Sequence, residues 1–179
     1  MRTATIVLVA YVLCVVVASV WRLMPGFTHD AIPAIGALTA AYLGHTTRPW
    51  RAPATAGAVV IGYLSDVISG TIPGLSSLVL GMTADIARST QQRIFVRGTM
   101  MTIVFCAFVA VFAGFAKILV CVMFGVPRPP VSLELQQLAL VSLATALIGP
   151  LVWRLFRRID AAYARTHRER DAALEGLAP

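Results

Sequence analysis

The chain is short of charge, of cysteine and of any catalytic grouping, and each shortage removes a class of function. Charged residues make up 13% of its 179 residues, against roughly 25% in an average soluble domain. They sit in short segments between long uncharged runs such as 4–20 and 99–125. That pattern speaks against a large-cored soluble domain. It also speaks against a transmembrane barrel, whose strands alternate apolar and polar residues in segments of about ten. The three cysteines, Cys14, Cys106 and Cys121, all lie inside apolar runs, without a CxxC or a paired spacing. Neither a disulfide framework nor a zinc site follows from them. His29, His45 and His167 fall in separate loops and the tail, far in sequence from the cysteines, so no metal or other cofactor is expected. Ser65, Ser69, Ser76 and Ser77 scatter around one turn with no base at a telling spacing. Nothing there resembles a nucleophile and its base, and the expectation is a protein that is not an enzyme.

What the chain has is apolar length. Apolar residues make up 58% of it and the mean hydropathy is +0.81, values that point to a multi-spanning helical membrane protein. The expected fold is all-α, with six transmembrane helices over about 4–24, 31–44, 53–69, 73–87, 99–125 and 133–156. Together they form a membrane domain, 1–158, followed by a basic tail, 159–179. Arg2 and the apolar run after it imitate a signal peptide, but the run is long and no small-x-small cleavage site follows, so it reads as an uncleaved span. Pro33 is expected in the first turn of the second span, where a proline costs little, and Pro150 as a kink in the sixth. Spans three and four are short. At 1.5 Å per residue, 15 to 17 residues reach roughly 22–26 Å, less than the ~30 Å hydrocarbon core. A re-entrant hairpin is the alternative to two full crossings.

The positive charge is one-sided. Twelve arginines fall at the N-terminus, in the loops after the second and fourth spans, and in the tail. The other side holds Arg22 and Arg128, with Lys117 near it; Arg22 and Lys117 would snorkel to that interface. Positive charge stays inside, so both termini are expected in the cytoplasm. The net charge of +7 does not imply a nucleic-acid partner, because the arginines flank apolar runs and interleave with no aromatics.

A few polar residues stand out against this background. Near the middle of a span a carboxylate costs about 2.5–3.5 kcal/mol, and Asp66 lies one turn from the end of the third span. Three readings are open: it caps the Ser69-Gly70 turn, contacts a partner, or couples to a proton or ion. Asp85 and Arg88 are three apart on one helix face and can pair, either to neutralise a helix end or at an interface with a cytoplasmic partner. Ala40 with Gly44, and Ala58 with Gly62, give faces narrow enough to admit another helix. In the tail Trp153, Phe156, Ile159 and Tyr163 recur at helical spacing, with Arg154, Arg157, Arg158, Arg165 and Arg168 on other faces. That segment reads either as a helix continuing out of the sixth span to meet anionic lipid or as a solvated tail; a docking site is a third option.

Gly62, Asp66, Ser69, Gly70 and Gly74 keep the spacing of the Gly-x-x-x-Asp-x-x-Ser-Gly-x-Pro-x-Gly core of the MreD family of bacterial rod-shape-determining proteins. The chain resembles that family over about its second to fifth spans, with Pro73 one position later than the family's proline. The resemblance implies a fold similar to the substrate-binding subunits of energy-coupling-factor vitamin transporters. It implies a non-enzymatic scaffold in the bacterial inner membrane, part of the cell-elongation machinery of cell wall biogenesis. The implied partners are a bitopic MreC-like protein and, in the wider complex, MreB and the RodA/penicillin-binding-protein synthase. Gly62, Asp66, Ser69, Gly70, Pro73 and Gly74, with Asp85 and Arg88, are then partner-binding or structural residues. The rival reading is a transporter subunit for a small metabolite. It requires a central pocket with convergent polar groups, and Asp66, Tyr63, Thr39, Tyr42 and Ser76 are what the sequence offers.

Overall fold

The structure is a computed structural model. It describes residues 2–23, 32–46, 53–91, 98–126 and 129–175, without the side chains of 22, 53, 91 and 166–175. Loop residues His29, Arg48, Arg51, Arg93, Arg97 and Arg128 lie outside it, as do the side chains of Arg22, His167, Arg168 and Arg170.

Six helices and no strand occur among the described residues: α1 (Arg2–Arg22), α2 (Ile35–Thr46), α3 (Pro53–Ser69), α4 (Leu75–Gln91), α5 (Thr99–Met123) and α6 (Val131–Glu175). The third coincides with the expected span, and the others shift for identifiable reasons. Helix α2 starts at Ile35, after Pro33 and not around it; the Pro33 carbonyl accepts the Ile35 N–H at 2.8 Å, while the Ala34 N–H goes to Thr145 Oγ1 at 2.9 Å. Helix α4 starts at Leu75, because Gly74 takes a positive φ of 99°. Helix α6 passes through Pro150 without ending and runs unbroken past residue 158.

Three of these helices are long and apolar enough to cross a membrane: Arg2–Trp21, Thr99–Met123 and the Val131–Arg165 part of α6. Helices α3 and α4 have 17 residues each. Helix α2, with 12 residues, reaches about 18 Å at 1.5 Å per residue.

Successive helices alternate in direction. Gly62 lies against Ser77 and Thr55 against Asp85, so α3 and α4 are antiparallel. Gly149 lies against Cys106, and Arg154 reaches Thr99, so α5 and α6 are too. The first turns of α1, α3 and α5 and the last turns of α2 and α4 therefore share one end with the 154–160 segment of α6. Among the described residues, that end carries Arg2, Arg88, Arg154, Arg157 and Arg158, while Arg22 closes α1 at the opposite end. Helix α3 also runs alongside α1 for most of its length. Gly57 sits at Thr3 and Val7, and Ser65 and Ser69 sit level with Cys14 to Ser19. The α3–α4 turn is thus level with the last turns of a helix long enough to cross.

Lipid tails are as apolar as leucine, so helices in a bilayer associate through close packing and hydrogen bonds more than through burial of apolar surface. The small residues supply that closeness. Ala40, Ala58 and Ala84 are fully buried, and an added Cβ at Gly44 would collide with the Ala84 carbonyl oxygen. The small-residue faces of α2 and α3, expected to admit another helix, are occupied by α4 of the same chain. Tyr42, Phe105, Trp153 and Phe156 fill the wider space between α2, α5 and α6. Tyr42 meets Trp153 edge-on, with ring centroids 4.9 Å apart and an interplanar angle of 84°, a geometry worth ~0.5–1.5 kcal/mol beyond the area buried.

Candidate functional site

Three polar groupings are built into the helices, and each ties elements together. The first is the Asp66 turn. Helix α3 ends when Gly70 adopts a φ of 64°, and the Thr71 N–H closes back on the Asp66 carbonyl at 3.2 Å. This six-to-one bond with a left-handed glycine is the Schellman closure of a helix. It turns the chain through residues 70–74 and brings the first turn of α4 over the Asp66 side chain. The carboxylate accepts the Thr71 hydroxyl at 3.0 Å, the Gly74 N–H at 3.0 Å and the Ser76 N–H at 3.0 and 3.2 Å to its two oxygens. It is fully buried. The opening N–H groups of a helix have no partner within it and carry partial positive charge, so Asp66 acts as the cap of α4 from a different helix.

The other motif residues serve the same joint. Gly62 lets the α4 backbone in, since a Cβ there would stand 2.5 Å from Ser77 N and Cα. Ser77 then returns a hydrogen bond to the Val59 carbonyl at 3.1 Å. Pro73 and Ser69 are exposed on the turn. The turn is closed by the N–H groups of 71, 74, 75 and 76, so a proline at 73 gives up none of these bonds.

The second grouping sits at the arginine end of the same two helices. Arg88 lies 3.5 Å from Asp85, and Thr55 of α3 bridges them, donating to Asp85 at 3.0 Å and accepting from Arg88 at 3.0 Å. The expected i,i+3 pair is present, and it also fastens α4 to the start of α3. Asp85 is largely exposed, so the pair contributes little to stability.

The third grouping includes Asp160, which sequence reasoning did not single out. Asp160 accepts Arg2 in bidentate fashion, Nε and Nη2 each at 2.6 Å, and the Tyr42 hydroxyl at 2.6 Å. One turn on, Tyr163 shares a 2.5 Å hydrogen bond with Thr5. The grouping joins α1, α2 and α6 at the arginine end. Its signal lay in the spacing: Trp153, Phe156, Asp160 and Tyr163 share a helical stripe, and a carboxylate on an otherwise aromatic stripe needs a partner.

A cavity of about 250 Å³ lies at the opposite end, between α1, residues 32–36 and the end of α3. Ser19, Ser65 and Ser69 are its hydroxyl-bearing residues, with Cys14 beside them. The polar residues expected to converge on a ligand are elsewhere. Thr39 bonds to the Ile35 carbonyl, Tyr42 to Asp160 and Asp66 to the α4 cap, while Tyr63 is 53% exposed on the outer surface.

No protein-family model, curated protein or solved structure matches the chain. The functional reading therefore rests on the motif and on the geometry around it.

Proposed function

We propose that the chain is a six-span inner-membrane scaffold of the MreD type, with both termini cytoplasmic. In this reading it binds an MreC-like bitopic protein within the cell-elongation machinery and catalyses nothing itself. One observation carries the proposal: the carboxylate at the centre of the MreD-like motif is spent on holding α4 to α3. A buried acid with its oxygens satisfied by a hydroxyl and two backbone N–H groups is poorly placed to bind a solute or shuttle a proton. Tyr42, Asp160 and Arg2 are engaged with one another, and Thr39, Thr83 and Thr145 with backbone carbonyls, which favours the outer helical surface as the place where work is done.

The alternating helices and the gathering of arginines at one end fit six crossings with that end inside. The turn at Asp66, level with the last turns of α1, fits full crossings of α3 and α4 better than a re-entrant pair. The short α2 fits a helix enclosed by protein more than one exposed to lipid, since nine of its twelve residues are buried. The cavity between α1 and α3 is what favours the transporter-subunit reading. Its sparse polar lining favours it less, because a small-metabolite site needs several fixed polar contacts.

The test is a pull-down of the tagged full-length chain in mild detergent from its own membranes. An MreC-like protein is expected to stay attached, and depletion of the chain is expected to round up rod-shaped cells. A solute that co-purifies in stoichiometric amount, or saturable uptake into vesicles, would instead support the transporter reading.

A further inference from the structure

The outward face of α6 changes character abruptly. Leu143, Leu147 and Leu151 are 62%, 75% and 70% exposed, and they follow one stripe at four-residue spacing. Three residues on, the same stripe continues as Arg154 and Arg158, with Arg157 beside it, and all three are exposed. The opposite stripe, Trp153, Phe156, Asp160 and Tyr163, faces the bundle. The one carboxylate of this segment, Asp160, is turned inward and neutralised by Arg2. Among the described residues no carboxylate pairs with Arg154, Arg157 or Arg158, and the 154–158 stretch of the outward face carries only positive charge.

We propose that Arg154, Arg157 and Arg158 form a binding surface for the headgroups of anionic phospholipids, seated where the leucine stripe leaves the acyl chains. The dimensions agree. Residues 154 to 158 rise about 6 Å along the helix, and one headgroup layer is roughly 5–8 Å deep. Arginine matches phosphate oxygens in a forked, two-bond geometry. Arg154 also reaches the Thr99 hydroxyl at 3.5 Å, which sets the surface beside the start of α5. Arg165 lies on the same stripe but about 16 Å beyond Arg154, outside the headgroup layer, and is not part of it. The inference needs the helices to be embedded in a bilayer. It does not need the scaffold role, so partner capture and lipid binding can fail separately.

The experiment titrates the full-length protein in a neutral detergent with phosphatidylglycerol or phosphatidylcholine and counts bound lipid by native mass spectrometry. Wild type is expected to prefer phosphatidylglycerol. The Arg154→Gln/Arg157→Gln/Arg158→Gln variant should lose that preference, by roughly five-fold per arginine and on the order of a hundred-fold together. Lysine at the same three positions keeps the charge and should keep most of the binding, which separates loss of charge from loss of fold. Arg165→Gln and Lys117→Gln should bind as wild type does. Wild-type phosphatidylglycerol binding by the triple glutamine variant would overturn the proposal. So would an equal loss in Arg165→Gln or Lys117→Gln, a lysine variant that does not bind, or tighter binding of an oligoglutamate peptide than of the lipid.

Discussion

Replacing Asp66 with alanine is expected to unfold or loosen the α3–α4 pair in detergent at temperatures where the wild type is intact. The substitution strips the buried cap from α4 and leaves the Gly74 and Ser76 N–H groups and the Thr71 hydroxyl without their acceptor. Loss of a helix cap costs about 0.5–2 kcal/mol, and each buried donor left unpaired costs about 1–3 kcal/mol. The lost cap and the unpaired N–H groups are one effect and the Thr71 hydroxyl is exposed to water, so the two N–H groups set the cost at about 2–6 kcal/mol, a large share of the typical stability of a domain. Asp66→Asn keeps one acceptor oxygen and should fall between alanine and wild type. Thermal melting followed by helical circular dichroism or by aggregation in detergent reads the order directly. If Asp66 instead served a proton or solute path, Asn would abolish function while the melting temperature stayed put.

The second large effect is expected at Gly62, and no such loss is expected at Gly81. A methyl group at Gly62 would stand 2.5 Å from Ser77 N and Cα and 2.7 Å from the Ser76 carbonyl carbon. Those are backbone atoms of the neighbouring helix and cannot swing aside. Ordinary carbon contacts lie at about 3.5–4.0 Å, so α3 and α4 must separate by on the order of 1 Å, and the Asp66 hydrogen bonds lengthen with them. Overpacking of this kind costs about 1–3 kcal/mol or more. Gly81 is on the same helix pair, but a Cβ there meets only Val59 Cγ2, at an ordinary 3.5 Å. Gly81→Ala should be neutral or stabilising by up to about 1 kcal/mol, since alanine is the better helix residue. The pair of melting temperatures is the measurement. Equal destabilisation by both would mean that the close approach at Gly62 is not what holds the helices together.

These residues also show what the sequence could and could not reveal. The helices were legible because uncharged apolar runs separated by arginines and turn residues leave a hydrophobic chain few alternatives. The Asp66 turn was legible as a turn, since Gly70 and Gly74 are the residues that take up positive φ without strain. Its partners were not. The acceptor role of Asp66 depends on N–H groups eight and ten residues on, which only the folded turn brings over the carboxylate. Asp160 was harder still: its partners Arg2 and Tyr42 are more than a hundred residues away. The small-residue faces were read correctly as places of close helix approach. Which helix fills them depends on the packing order, and α4 fills them here. The length of α6 was open because polar residues after 156 suit a helix as well as a solvated tail. The contacts of Asp160 and Tyr163 with α1 support its first turns beyond 158.

The account rests on a bundle whose arginine end faces the cytoplasm and whose Asp66 turn reaches the other side. Ile72, in that turn, is 54% exposed. The most direct test places Ile72→Cys in a chain with Cys14, Cys106 and Cys121 replaced by alanine, carrying a tag at each terminus. Intact cells are then treated with a membrane-impermeant maleimide and with antibodies to the tags. The account predicts labelling of residue 72 from outside and no access to either tag until the membrane is opened. A tag reached in intact cells, or a residue 72 labelled only after permeabilisation, would contradict it.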